Sequence, residues 1–140
     1  MTTTPPAHAA EATILLVEDD VLLRMSFSQY LRECGYKVVE AVSADEAMTV
    51  LQHQEITIDV VFSNVELPGV MDGFALSKWI RDNRPDTQVI LVGSVPGAAD
   101  AAAELCDDGP LPKPYEPQIM VDRIRRLIAR RKRNTGAGAR

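Results

Sequence analysis

The chain has 140 residues, 46% hydrophobic and 25% charged, with a formal net charge of −5. That length suits one domain of roughly 100–150 residues, and the balance is that of a folded globular protein rather than a disordered or fibrous one. No apolar run approaches the ~20 residues of a membrane span. The opening MTTTPPAHAAEA has neither the basic start nor the apolar stretch of a secretory signal.

The net charge hides an asymmetry. Up to Asp122, seven cations face twenty acids and leave −13, while the remainder carries +8. An acidic body argues against nucleic acid as a partner. Cys34 and Cys106 lie far apart in sequence and match no metal spacing, so they read as reduced thiols of a cytoplasmic protein.

Residues 1–11, small, polar and proline-bearing, read as a disordered leader. Thr13–Val17 (TILLV) is too short for a helix and suits a strand buried on both faces. From Val21 the period changes, with Leu23, Phe27, Tyr30, Leu31 and Cys34 on one helical face. Gly35 ends that helix as a left-handed residue would. A strand near Lys37–Ala41 follows, and Ser43 with Glu46 forms a capping box opening a helix with Ala44, Ala47, Met48 and Leu51 inward.

Ile58–Ser63 is the third strand, and Leu67-Pro68-Gly69 marks a loop. A helix near Gly73–Asn83 places Phe74, Leu76 and Ile80 inward and stops before Pro85. Gln88–Val92 is a fourth strand, Ala98–Leu105 a short fourth helix, and Gly109–Leu111 a weak fifth strand. Glu116–Arg131 forms the last helix with Val121, Ile124, Leu127 and Ile128 inward, ahead of a flexible basic tail over 132–140. Apolar strands alternating with helices predict one α/β domain over 12–131, a parallel sheet covered on both faces. Such sheets bind ligands at the carboxyl ends of their strands, where the strand order reverses.

Three acids follow the first strand. Asp20 reads as the cap of the next helix. Glu18 and Asp19 fit equally as solvated acids or as ligands of a hard cation such as Mg²⁺, which holds few carboxylates and several waters. Lys113, before Pro114, could bind phosphate or pair with a carboxylate at the same rim. Ser94 adds a hydroxyl there, although an ordinary loop serine would look the same.

Together these pieces resemble the receiver domain of response regulators in two-component signalling. The matching segments are ILLVEDD (14–20) with Leu23-Arg24, GYKVVEA (35–41), DVVFSNVELPGVMDGFAL (59–76), Ile80-Arg81, VILV (89–92) and KPY (113–115). Each is weak alone; their order and spacing are specific. The resemblance implies a flavodoxin-like (βα)5 doubly wound parallel sheet of strand order 2-1-3-4-5, with its switch point between the first and third strands. It implies a phosphoacceptor at position 64 and Mg²⁺ held by Glu18, Asp19, residue 64 and the backbone carbonyl of Glu66. A hydroxyl after the fourth strand, here Ser94, and Lys113 would grip the phosphate. It further implies a cis Lys113–Pro114 bond, a cytoplasmic non-enzymatic module, and a histidine kinase or histidine phosphotransfer protein as partner. A homodimer could form through the last helix or through the face built by the fourth helix, fifth strand and fifth helix.

The sequence departs from that pattern. The acceptor position is Asn64, whose amide has no anionic oxygen and cannot form an acyl phosphate. Asp59 starts the strand at its opposite end, and Asp72 reads as a helix cap, so neither replaces it. The hydroxyl expected at 93 is Gly93, with Ser94 one step late, and the aromatic expected three residues before Lys113 is Pro110. A single Asp→Asn change is what an engineer makes to block phosphorylation; several departures together read as natural divergence. Both origins stay open on the sequence.

Three functions compete: a phosphorelay receiver that signals by protein contacts, a phosphorylation-independent pseudo-receiver that uses the same docking faces, and a flavodoxin-like or phosphatase-like enzyme. The last is weakest, because no glycine-rich phosphate loop and no aspartate nucleophile appear. The run RIRRLIARRKRN reads as the solvated face of the last helix, its cations complementing the helix dipole. With no output domain following, the chain reads as a stand-alone receiver.

Overall fold

In the computed structural model, residues 12–106 are described. The leader, the fifth strand, the last helix, Lys113 and its peptide bond to Pro114, Pro110 and the basic tail lie outside the described residues. The elements run β1 (Thr13–Val17), α1 (Val21–Glu33), β2 (Lys37–Ala41), α2 (Ala44–Gln52), β3 (Val60–Asn64), α3 (Gly73–Asn83), β4 (Gln88–Val92) and α4 (Val95–Leu105). The four strands are parallel in the order β2-β1-β3-β4. Chain order therefore reverses between β1 and β3, and the flavodoxin-like architecture is present.

Strand β1 is apolar after its first residue because both of its faces are covered. Its side chains alternate: Ile14 and Leu16 join a core under α1 and α4, with Phe27, Tyr30, Leu31 and Phe62. Leu15 and Val17 point the other way, into a core under α2 and α3 with Val61, Leu76 and Ile80. Burying a side chain of this size stabilises the fold by ~1.5–3 kcal/mol, so the central strands anchor the sheet.

The helix boundaries follow capping chemistry. Asp20 Oδ1 accepts from the amides of Leu22 and Leu23, each at 3.0 Å, as its cap reading requires. Gly35, at φ 103°, turns the chain out of α1 in the left-handed region that glycine enters without strain. Ser43 Oγ accepts from the Glu46 amide at 3.1 Å, while Glu46 reaches back to the amide of Val42 rather than Ser43. Asp72 caps α3 through the Ala75 amide at 2.9 Å.

Four expectations need correction. Phe74 does not face inward; it is 61% exposed. The inward positions Gly73, Leu76 and Ile80 recur at helical spacing, and two residues before Leu76 the 3.6-residue period points to the opposite side. The third strand begins at Val60, with Asn64 as its last residue rather than the residue after it. Helix α4 begins at Val95, not Ala98. Pro96 falls in its first turn, where proline's missing N–H has no partner to lose. Finally, Cys34 and Cys106 are not free thiols but a disulfide across 72 residues, with Cα atoms 5.6 Å apart. The fold brings together the C-caps of α1 and α4, a juxtaposition that sequence distance conceals.

Candidate functional site

The carboxyl ends of β1, β3 and β4 surround a cavity of about 180 Å³ lined by Glu18, Asn64, Glu66, Gly93 and Ser94, with an apolar wall from α1 and α4. Larger open grooves lie at the amino ends of the strands, around Lys37, Glu55 and Asp59. They lack the switch point, and the smaller cavity is the one the topology selects.

Glu18 is half-buried at the end of β1. Its amide donates to the Ala41 carbonyl at 3.0 Å, continuing the ladder, and its Oε2 accepts from the Asp20 amide at 3.0 Å. Burial pushes its carboxyl above the usual glutamate range; the Asp20 amide opposes this, and the charges of Asp19 and Asp20 add to it. Asp19 stays exposed beside it, outside the cavity lining.

A cation does stand nearby, but it is engaged elsewhere. Arg24 Nη1 donates to the backbone carbonyl of Glu18 at 3.0 Å, while its Nε pairs with Glu40 Oε1 at 3.1 Å. Glu40 also accepts from Ser28 Oγ at 2.9 Å and approaches Arg32 at 3.4 Å. Arg24 thus fixes the backbone of the acidic turn from α1 and leaves the Glu18 carboxylate without its charge. Sequence reasoning matched Arg24 to a motif and gave it no role. The signal available was a cation one helical turn beyond three adjacent acids.

Asn64 ends β3 beside Glu66, and its backbone is held on two sides. The Val65 amide donates to the Val92 carbonyl at 2.9 Å, and buried Ser63 donates from Oγ to the Asn64 carbonyl at 2.9 Å. The first residue of α3 closes over this turn: the Gly73 amide donates to the Val65 carbonyl at 2.7 Å. A Cβ on Gly73 would collide with the Asn64 carbonyl oxygen and lie 2.9 Å from Val65 Cα. Only glycine lets the helix approach so closely, a steric requirement that sequence reasoning missed although Asp72-Gly73 lay inside a quoted segment.

Ser94 is the N-cap of α4, its Oγ accepting from the Gly97 amide at 3.1 Å, and it also lines the cavity. It is thus a helix-capping serine at the rim of the cavity. Gly93 is exposed, and a Cβ there meets nothing within 4 Å. The structure thus gathers Glu18, Asn64, Glu66 and Ser94, leaves Asp19 at the edge, and leaves Lys113 outside the described residues.

The donor set suits a hard cation: two carboxylates, a side-chain amide oxygen and a backbone carbonyl match what Mg²⁺ takes alongside its waters. The fit is incomplete in charge. Among the described residues no three His, Cys, Asp or Glu side chains converge as a metal site, and position 64 offers an uncharged amide.

Parallel sheet, switch point and acidic cavity define a doubly wound α/β domain, and comparison with known proteins makes the class specific. The sequence model of the response regulator receiver domain matches residues 14–125. The sensor kinase CckA of Brucella abortus is 35% identical over 124 residues, covering 86% of this chain and 13% of that protein. The response regulator protein FleR of Pseudomonas aeruginosa is 37% identical over 118 residues, covering 82% of this chain and 24% of that protein. A receiver domain protein from Clostridium thermocellum superposes with a TM-score of 0.57 at 26% identity, covering 86% of this chain and 97% of that one. The chain belongs to the response regulator receiver domain family. It spans a small fraction of those two curated relatives. Receiver domains are signalling modules that interact with histidine kinases or phosphotransfer proteins and generally bind Mg²⁺ in the acidic pocket. Among the described residues, no helix is long and apolar enough to cross a membrane.

Proposed function

We propose that this chain is a cytoplasmic receiver that docks a histidine kinase or phosphotransfer protein, does not accept phosphate in its present form, and passes its signal on through protein contacts. The observation that carries this reading is Asn64, seated at the last position of β3 in the cavity shared with Glu18, Glu66 and Ser94. An acyl phosphate needs a carboxylate oxygen as nucleophile, and an amide supplies none. Asp59 cannot replace it, because its Oδ2 accepts from the Thr13 amide at 2.8 Å at the other end of the sheet. Asp72 is spent as the cap of α3.

Glu18, Asp19, the Asn64 side-chain oxygen and the Glu66 carbonyl would hold Mg²⁺, which would offset the negative charge of the two carboxylates. Removing one unit of negative charge from a hard-oxygen site weakens it, so Mg²⁺ binds here weakly. Ser94 at that rim and, by the family resemblance, Lys113 are the groups for an anionic ligand. Asn64 also favours a second reading, a pseudo-receiver that works without phosphorylation through the same docking faces.

Incubation with acetyl phosphate and Mg²⁺, followed by intact-mass measurement, tests the central claim. The present chain should show no phosphoryl adduct and Asn64→Asp should show one. An adduct on the present chain at a carboxylate would overturn the proposal.

A further inference from the structure

We propose that Cys34 and Cys106 form a reversible thiol–disulfide site whose closure fixes helix α4 against α1, taking a small-molecule disulfide of the glutathione type as its oxidant. The behaviour of position 64 has no bearing on this site.

The first observation is how little else among the described residues holds α4. Its fully buried side chains are Ala98, Ala99, Ala102 and Ala103, and each contributes only a methyl group to the core. Val95 and Leu105, its larger apolar residues, pack only partly buried against that core. By contrast α1 buries Phe27, Tyr30 and Leu31 on the same side of the sheet. A helix whose buried residues are alanines has a small hydrophobic anchor, so a cross-link at its end adds much to what holds it.

The second observation is where the cross-link lies. Cys34 and Cys106 are the C-cap residues of α1 and α4, and the Tyr36 hydroxyl donates to the Leu105 carbonyl at the same junction. The opposite end of α4 is the cavity, where Ser94 caps the helix and Val95 and Ala98 line the wall. One helix, about 16 Å long at 1.5 Å per residue, thus runs from the disulfide to the candidate site.

The third observation is unequal access. Cys106 is 5% exposed, whereas Cys34 is only partly buried. The Cys34 thiolate attacks the small disulfide, forming a mixed disulfide and releasing one small thiolate. The Cys106 thiolate then attacks the Cys34 sulfur, closes the protein disulfide and releases the second. The two protein thiols lose two protons and two electrons, and the small disulfide is reduced to two thiols. Excess thiol runs the exchange backwards. In a compartment poised by glutathione, disulfides are transient or redox-sensing rather than permanent, which suits this geometry.

The full chain is equilibrated in glutathione buffers from oxidising to reducing, and free thiols are counted by alkylation and intact mass. Amide hydrogen exchange is followed in parallel. We expect two free thiols in reducing buffer and none in oxidising buffer. We also expect exchange across Ala98–Cys106 to speed up about tenfold or more on reduction, with β1 and β3 unchanged. Cys34→Ser and Cys106→Ser should each behave as the reduced chain in both buffers; should either fail to fold, the two redox states of the unaltered chain carry the comparison. The proposal is overturned if a mixed disulfide stays on Cys34 without closing. Equal α4 exchange in both states overturns it too. So does loss of protection in β1 and β3 together with α4 on reduction, which marks a structural staple for the whole domain.

Discussion

Gly73 at the start of α3 presses directly on the backbone of Asn64 at the end of β3, so that even a single added methyl would overlap the Asn64 carbonyl oxygen. The helix that follows the acceptor position therefore fixes the backbone of that position, and the approach leaves no flexible atom to yield. Gly73→Ala forces the β3–α3 turn to shift, a strain of about 1–3 kcal/mol by comparison with other overpacked sites. Urea unfolding should show a lower midpoint with an unchanged slope. The control is Gly93→Ala, whose Cβ meets open space; that variant should unfold within about 0.5 kcal/mol of the parent, as surface changes generally do.

Much of this site could be read from the residues, and the misses share a cause. Asp20, Ser43 and Asp72 act within three residues of their partners, so local pattern named all three caps. Strand β1 was legible because an all-apolar run means two covered faces, and both cores meet on it. Phe74 was misread because a hydrophobic residue was assumed to face inward, while its phase on α3 pointed to solvent. The cysteine pair, the Arg24–Glu40 pair and the Gly73 approach depend on which elements the fold brings side by side, across 72, 16 and 9 residues. No local periodicity encodes those meetings.

Arg24 and Glu40 give a test of how the acidic turn is held. Their ion pair is sheltered, at 14% and 27% side-chain exposure, and Arg24 also binds the Glu18 carbonyl. Arg24→Met removes both hydrogen bonds and should cost about 2 kcal/mol of unfolding free energy, in line with bonds to charged groups. Glu40→Gln in the Arg24→Met background should cost less than in the parent, because the partner it served has already gone. Additive losses in this double-mutant cycle would mean that the pair is not coupled.

The pH dependence of stability carries the signature of Glu18. Burial, joined by the charges of Asp19 and Asp20, raises its carboxyl in the folded state, so between the ordinary and the raised value the folded chain holds more proton than the unfolded one. Glu18 thus adds stability that is fully present below its ordinary value of 4.5 and is lost as pH rises through the raised one. Glu18→Gln should remove that component. Unfolding free energies for both chains across this range, without divalent metal, should converge at acid pH and separate in favour of Glu18→Gln as pH rises. Mg²⁺ binds the deprotonated form and should narrow the gap at the upper end in proportion to its occupancy. The weak site proposed above predicts that calorimetry finds no low-micromolar Mg²⁺ affinity.

Reversal of the asparagine tests the acceptor assignment most directly. Asn64→Asp barely changes volume, and Glu18 and Asp19 remain at the end of β1 to hold the metal, so Mg²⁺-dependent labelling by acetyl phosphate should appear. The third carboxylate adds repulsion to a pocket where Glu18 is already raised, so stability without metal should fall modestly and recover with Mg²⁺. Labelling and response are separate outcomes. The family resemblance expects the phosphate-reading hydroxyl at the position that Gly93 occupies, whereas Ser94 stands one residue later and accepts in the cap of α4. The Asn64→Asp chain should therefore label while hydrogen exchange in α4 changes little. Adding Gly93→Thr restores a hydroxyl where its Cβ has room, and phosphorylation of the double variant should then slow exchange across Val95–Leu105. A folded Asn64→Asp chain that takes no label would place the acceptor somewhere other than residue 64. A single variant whose α4 responds as fully as the double would show that Ser94 serves as the reader despite its cap.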